Sequence, residues 1–247
     1  MSLDFITPDW PAPATVRALS TTRAGGVSGG VFRALNLGDH VGDDPTCVAT
    51  NRRLLQQTAG IPGTIPWLSQ VHGCVVHPAD APYRATPEAD ATCAHVAGQP
   101  CVVMTADCLP VLFCNRAGSV VAAAHAGWRG LHGGVLEATI ASMGCAPGDL
   151  LAWMGPAIGP EAFEVGPEVR EAFISEQAEA ATAFQPSPHQ GKWLADIYLL
   201  ARLRLARAGV SAVYGGEHCT VSAPERFFSY RRDGQTGRMA SLIWIEP

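Results

Sequence analysis

The stretch CVVMTADCLPVLFCNRAGSVVAAAHAGWRG, residues 101–130, decides the fold. It contains three short apolar runs, CVVMT at 101–105, VLFC at 111–114 and SVVAAA at 119–124, separated by turn-forming residues. Runs of this length suit buried strands better than helices. Beyond them, 131–143 has a helical pattern stopped by Gly144, and LLAWM at 150–154 returns to strand character. Further helices are predicted over 167–176 and 193–208, the second ended by Gly209, with strands at SAVYG (211–215) and MASLIWI (239–245). Residues 1–66 are rich in Gly, Pro and Thr and predict loops and short edge strands. The exception is a helix over 47–59, opened by Asp44 and Pro45 and ended by Gly60. QPSPH at 185–189 is expected to be a surface loop. Mixed strands and helices without a repeat, low-complexity tract or linker predict an α/β (α+β) fold, with 1–247 as a single domain.

Composition narrows the function. A chain of 247 residues with 47% hydrophobic and 16% charged residues can bury a substantial core. Its formal charge of -5, with one lysine (Lys192), offers no basic surface for nucleic acid or an anionic membrane. No apolar run approaches the ~18 residues of a membrane span, and the start, MSLDFITPDWPAP, lacks a basic n-region, so a cytoplasmic protein is expected. Eight cysteines lie scattered without a CxxC, which argues against a disulfide framework and against a zinc ribbon. No element stands apart to set an oligomeric state.

The chemistry concentrates in QVHG at 70–73, TADCLP at 105–110 and AAAHAGWRG at 122–130, which present His72, Cys108 and His125. Two imidazoles and a thiolate would leave a zinc ion one open position, as at catalytic zinc centres. Cys108 and His125 are expected just after strands, where a rigid sheet aims side chains into a cleft. Taken singly and by residue type alone, each reads better as a packed core residue. Asp107 beside Cys108 and Arg129 after His125 bring more polarity than a core junction accepts. FFSYRRDGQTGR at 227–238 suits either an anion pocket or an exposed charged hairpin. TTRAGGVSGG at 21–30 lacks the spacing of a dinucleotide site, and GPAIGP at 155–160 is expected to be a structural turn.

In order along the chain, QVHG, ADA, TADCLPVLF, AAAHAGWRGL, GPAIGP, FEVG and SYRRDGQTGRMASLIWI resemble the bacterial YfiH family from about Thr21 onward. That family is also labelled multicopper polyphenol oxidase or laccase domain, and peptidoglycan editing factor. The resemblance implies a compact layered sandwich related to cytotoxic necrotizing factor deamidases, and zinc held by His72, Cys108 and His125. It also implies purine nucleoside phosphorylase and adenosine deaminase activities, with purine nucleosides and phosphate as small-molecule partners. Candidate anion-binding residues are Arg23, Arg129 and Arg231, and Asp107 is a candidate outer partner of a ligated histidine or proton shuttle. Alternatives are a hydrolase that edits muropeptide precursors and a metal-free hydrolase with Cys108 as nucleophile and His125 or His72 as base. Laccase chemistry fits poorly, because none of the eight histidines lies one residue from another and one trio holds one ion, although the same trio can accept copper in vitro.

Overall fold

The structure is a computed structural model that describes residues 3–81 and 85–247. In chain order its first elements are strands β1 (Phe5–Ile6) and β2 (Val16–Thr21) and helix α1 (Pro45–Ala59). Strands β3 (Val76–Pro78), β4 (Ala91–Ala94), β5 (Cys101–Thr105), β6 (Leu109–Asn115) and β7 (Val121–Ala126) follow. Helices α2 (Trp128–Gly133) and α3 (Val135–Ser142) then precede β8 (Leu150–Met154), β9 (Glu164–Val165) and α4 (Pro167–Glu176). The chain ends with β10 (Phe184–Pro186), β11 (Trp193–Ala195), α5 (Ile197–Arg207), β12 (Ala212–Gly215), the helical turn α6 (Tyr230–Asp233) and β13 (Met239–Ile245).

Two large sheets carry the architecture. One is ordered β1-β2-β13-β5, the other β12-β8-β6-β7-β4-β3, and a small sheet β10-β11-β9 stands beside them. Alternation along single strands shows how they stack. Cys101 and Val103 of β5 join a core with Leu112 and Cys114 of β6, whereas Val102 and Met104 face the other way, onto Leu35, Leu37 and Leu55. On β6, Val111 and Phe113 turn away from the inter-sheet core and pack with Leu136, Phe173 and Leu200 from the helices. The result is an α+β layered sandwich, and the strands read as continuous apolar runs because both of their faces are covered. No described helix is long and apolar enough to cross a membrane.

The α1 boundaries follow their expected signals. The Asp44 carboxylate accepts Thr46 N–H at 2.8 Å, and Gly60 adopts φ 61° at the C-terminus. Elsewhere the structure corrects the sequence reading. The helix expected over 131–143 is two helices, broken where Gly134 takes φ 100°, a conformation that only glycine adopts without penalty. The segment expected as helix from 193 begins as β11, and α5 starts only after Asp196, whose carboxylate accepts Leu199 N–H at 2.9 Å. In the N-terminal region β2 is an inner strand, paired to both β1 and β13. Gln185 and Pro186, expected in a loop, belong to β10.

Candidate metal centre and its pocket

His72, Cys108 and His125 come together from three elements, with their ligand atoms all within 4.8 Å of one another. Among the described residues they are the one group of three or more His, Cys, Asp or Glu so arranged. His125 is not beyond its strand, as its motif suggested, but inside β7 opposite Pro110 of β6. Cys108 sits in the turn that carries the chain from β5 in one sheet to β6 in the other. His72 Nε2 is 3.7 Å from Cys108 Sγ, and the two imidazole rings meet edge-on with centroids 4.9 Å apart.

The QVHG loop is pinned at both ends of its motif. The Gln70 amide pairs with the main chain of Met104, accepting its N–H at 2.7 Å and donating to its carbonyl at 2.8 Å. The three N–H groups of Val71, His72 and Gly73 all point at Asp90, a carboxylate with no exposed surface. The same carboxylate meets His125 Nδ1 at 2.8 Å. Burial works to raise the pKa of Asp90, but the His125 bond and the loop N–H groups outweigh it and hold Asp90 below the ordinary carboxylate range. An ionised carboxylate only accepts, so Nδ1 of His125 carries the proton and Nε2 is left for a metal ion.

Two more features serve close approach and strain. A Cβ on Gly127 would lie 2.7 Å from His72 Cδ2 and 3.0 Å from Cys108 Sγ, so only glycine leaves room for the trio. His72 and Asp107 are the described non-glycine residues with positive φ, 62° and 92°. One belongs to the centre and the other adjoins Cys108, the kind of position where backbone strain accompanies function. Without a metal ion the group polarises itself. Burial opposes charge on Cys108, but His125 and His72 overcome it and lower the thiol to about 6. Burial likewise opposes charge on His125, which Cys108 and Asp90 overcome, raising the imidazole to about 9.

The centre lies in a cavity of about 390 Å³, a size suited to a small-molecule ligand. Ile158, Phe163, Ile197 and Trp128 give it an apolar wall, and Arg129, Arg231 and Arg238 face it with His40 and Tyr230. GPAIGP is therefore more than a turn, since it supplies Ile158 to this wall. FFSYRRDGQTGR is not a hairpin: it forms α6 and brings Tyr230, Arg231 and Arg238 to the cavity. Its third arginine, Arg232, is spent on the carbonyls of Thr220, Val221 and Phe227.

The other sequence candidates divide. Arg129 and Arg231 line the cavity. Arg23 is not brought to it: its guanidinium donates to the carbonyls of Arg33 and Pro224 and lies 4.6 Å over the Phe228 ring. Asp107 lines the cavity, but its carboxylate accepts from Thr220 Oγ1, Ser229 Oγ and Arg231 N–H, so it anchors α6 while Asp90 holds the histidine. Asp90 was missed, and Arg238 was read only as part of the 227–238 segment, not singled out among the anion-binding arginines. Asp90 is the middle of an ADA motif that occurs twice, at 79–81 and 89–91, with no local signal to separate them.

The donor set fits one ion. Two nitrogens and a thiolate, one histidine fixed by a buried carboxylate, match a zinc centre with an open position. Residues 17–246 match the family model described as multi-copper polyphenol oxidoreductase laccase. The chain is 57% identical over 242 residues to a purine nucleoside phosphorylase of Pseudomonas aeruginosa, covering 98% of each chain. It is 56% identical over 241 residues to the purine nucleoside phosphorylase YfiH of Escherichia coli, again covering 98% of each. The crystal structure of a Neisseria meningitidis protein described as DUF152 superposes with a TM-score of 0.95 at 57% identity, over 98% of this chain and 99% of that one. YlmD of Geobacillus stearothermophilus superposes at 0.90 with 33% identity, over 98% and 96%. The resemblance carried by the motifs is thus borne out along the whole chain, which belongs to the laccase-domain family that includes YfiH.

Proposed function

We propose that this chain is a zinc-dependent purine nucleoside phosphorylase that also deaminates adenosine. The observation that carries the reading is one cavity in which a His/Cys/His trio, an apolar wall and arginines face a common space. The names of the relatives from Pseudomonas aeruginosa and Escherichia coli agree with it. His72, Cys108 and His125 would hold the zinc ion, which supplies Lewis acidity and brings the pKa of water towards about 7.

The chain's own residues do the rest. The apolar wall of Ile158, Phe163 and Ile197 takes the flat purine, and Trp128 and Tyr230 border it. In phosphorolysis a phosphate oxygen bonds to ribose C1′ as the bond from C1′ to the base breaks; the base leaves with the electron pair and takes up a proton. The arginines that line the cavity orient the dianion and offset its charge. In deamination the oxygen of water bonds to C6 of adenine, and the amino group departs as ammonia once protonated. Asp90 keeps His125 in one tautomer throughout.

The thiolate and imidazolium pairing in the metal-free trio favours a second reading, in which Cys108 is a nucleophile with His125 as its partner. Metal-quantified protein incubated with adenosine, with and without phosphate, tests the first. Adenine that appears only with phosphate establishes phosphorolysis, and inosine establishes deamination. Absence of both from zinc-loaded protein removes the nucleoside reading and makes a muropeptide substrate the next to try. His72→Ala should abolish turnover and metal binding together with the fold intact; turnover in that metal-free variant would favour the Cys108 nucleophile.

A further inference from the structure

Arg238 is half-buried in the cavity wall, whereas Arg129 and Arg231 are exposed. Its Nη1 donates to the carbonyls of Thr236 and Gly237 at 3.0 and 3.1 Å, which holds the planar group without neutralising it. Among the described residues no carboxylate forms an ion pair with it. Arg204, Arg207 and Arg232, in contrast, all have acidic partners. A half-buried guanidinium that makes no direct ion pair, with Cys108 and Asp107 acting on it only through space, keeps donors for an anion.

The surroundings place that anion. Segment 36–40 is laced to Arg238: the Asn36 side chain accepts its N–H at 2.9 Å, and Leu37 N–H donates to its carbonyl at 3.1 Å. Gly38 passes so close that a Cβ there would be 2.8 Å from Arg238 Cγ. Through this lacing His40 and Arg238 line one cavity. Desolvation, and then the charge of Arg238, hold His40 below the ordinary histidine range against the pull of Asp39, whose carboxylate lies 3.6 Å from Nδ1, which leaves Nε2 as the nitrogen for an anion. Desolvation also lowers Arg238, against the opposing pull of Cys108 and Asp107, and the side chain lines the same cavity as the metal trio.

We propose that Arg238 and His40 form the subsite for inorganic phosphate, between segment 36–40 and the metal centre. A guanidinium fork matches two oxygens of the dianion, and the imidazole donates to a third. Arg129 and Arg231, exposed at the rim, draw the anion in. The identity of the anion rests on the nucleoside phosphorylase reading; the existence of an oxyanion subsite does not.

Calorimetric titration of inorganic phosphate into the zinc-loaded full chain tests the subsite directly, beside the Michaelis constant for phosphate. Arg238→Met should weaken phosphate binding by about tenfold to a hundredfold and raise that constant in parallel, as expected for lost charge-assisted bonds. His40→Ala, at an exposed position that leaves folding intact, should weaken it severalfold. Phosphate affinity within twofold of wild type in both variants would overturn the proposal. So would a loss of affinity seen for adenosine 5′-monophosphate but not for inorganic phosphate. If phosphate binding depends on Arg238 and no nucleoside is cleaved, the subsite stands and the nucleoside reading falls. If nucleoside is cleaved with an unchanged phosphate constant in Arg238→Met, the reading stands and the subsite falls.

Discussion

Asp90 Oδ1 lies 2.8 Å from His125 Nδ1, and the same atom accepts the main-chain N–H of His72 at 2.9 Å. One buried carboxylate thus sets both imidazoles of the trio, one through its ring and one through its backbone. Asp90→Asn keeps the shape but turns one of two acceptor oxygens, each of which receives two N–H groups, into a donor. It should weaken zinc binding by about 10–100-fold, measured by competition with a chromophoric chelator. Unchanged affinity would mean that the trio is held by packing alone.

Metal-free protein should show an unusual thiol. Cys108, lowered to about 6 by the histidines despite its burial, is thiolate at neutral pH, so its alkylation rate should rise through pH 6 and level off. Cys74 and Cys145, raised by burial, should still gain reactivity above pH 9, their ordinary value. Iodoacetamide labelling followed residue by residue by mass spectrometry gives both curves. Zinc should protect Cys108 at every pH.

Gly127→Ala places a methyl group against His72 and Cys108. The expected outcome is loss of stoichiometric zinc, with an overpacking cost of about 1–3 kcal/mol in the metal-free fold. Metal analysis beside denaturant unfolding separates the two. Full zinc occupancy in the variant would show that the ligand loop gives way cheaply.

Arg204 joins three helices, with Nε 2.6 Å from Glu137 on α3 and Nη1 bonded to Glu176 at the end of α4. Arg204→Met should destabilise the protein by about 2–3 kcal/mol, less than a fully buried pair because both glutamates are about a third exposed. Glu176 is held below its ordinary 4.5, first by Arg207, against burial, and then by Arg204. A lowered carboxylate contributes stability above its unfolded value and loses it as the pH falls through the folded one. The gap between wild type and Arg204→Met in urea unfolding should therefore be full at neutral pH and narrow below pH 4.5. A gap independent of pH would assign the effect to packing of the arginine stem.

The layered sheets were legible in residues 101–130 because strands covered on both faces must be apolar at every position, and that pattern needs no long-range knowledge. Helix α1 was equally plain, since Asp44, Pro45 and Gly60 mark it locally. What failed was arbitration between adjacent signals. An apolar Trp193–Ala195 beside a helical pattern merged into it, although Asp196 is a cap, and the Gly133 and Gly134 pair did not register as a break. The metal trio could be named from residue chemistry and motif, but not its supports. Asp90 acts through bonds to residues 17 to 19 positions upstream and 35 downstream, and Arg238 stands out because it is the half-buried arginine of the cavity. Both are properties of the tertiary arrangement alone.

Cys108 stands at the crossover between β5 and β6, the point where the chain leaves one sheet for the other. His72 and His125 are anchored on the six-stranded side through Asp90, so an ion held by the trio would tie the crossover turn to that sheet. The geometry of the centre is then a gauge of how the sheets are seated. Binding free energy spent on making that tie is shared with folding. Small repackings at Val103 or Leu112, neither of which is part of the trio, should change how long the ion resides.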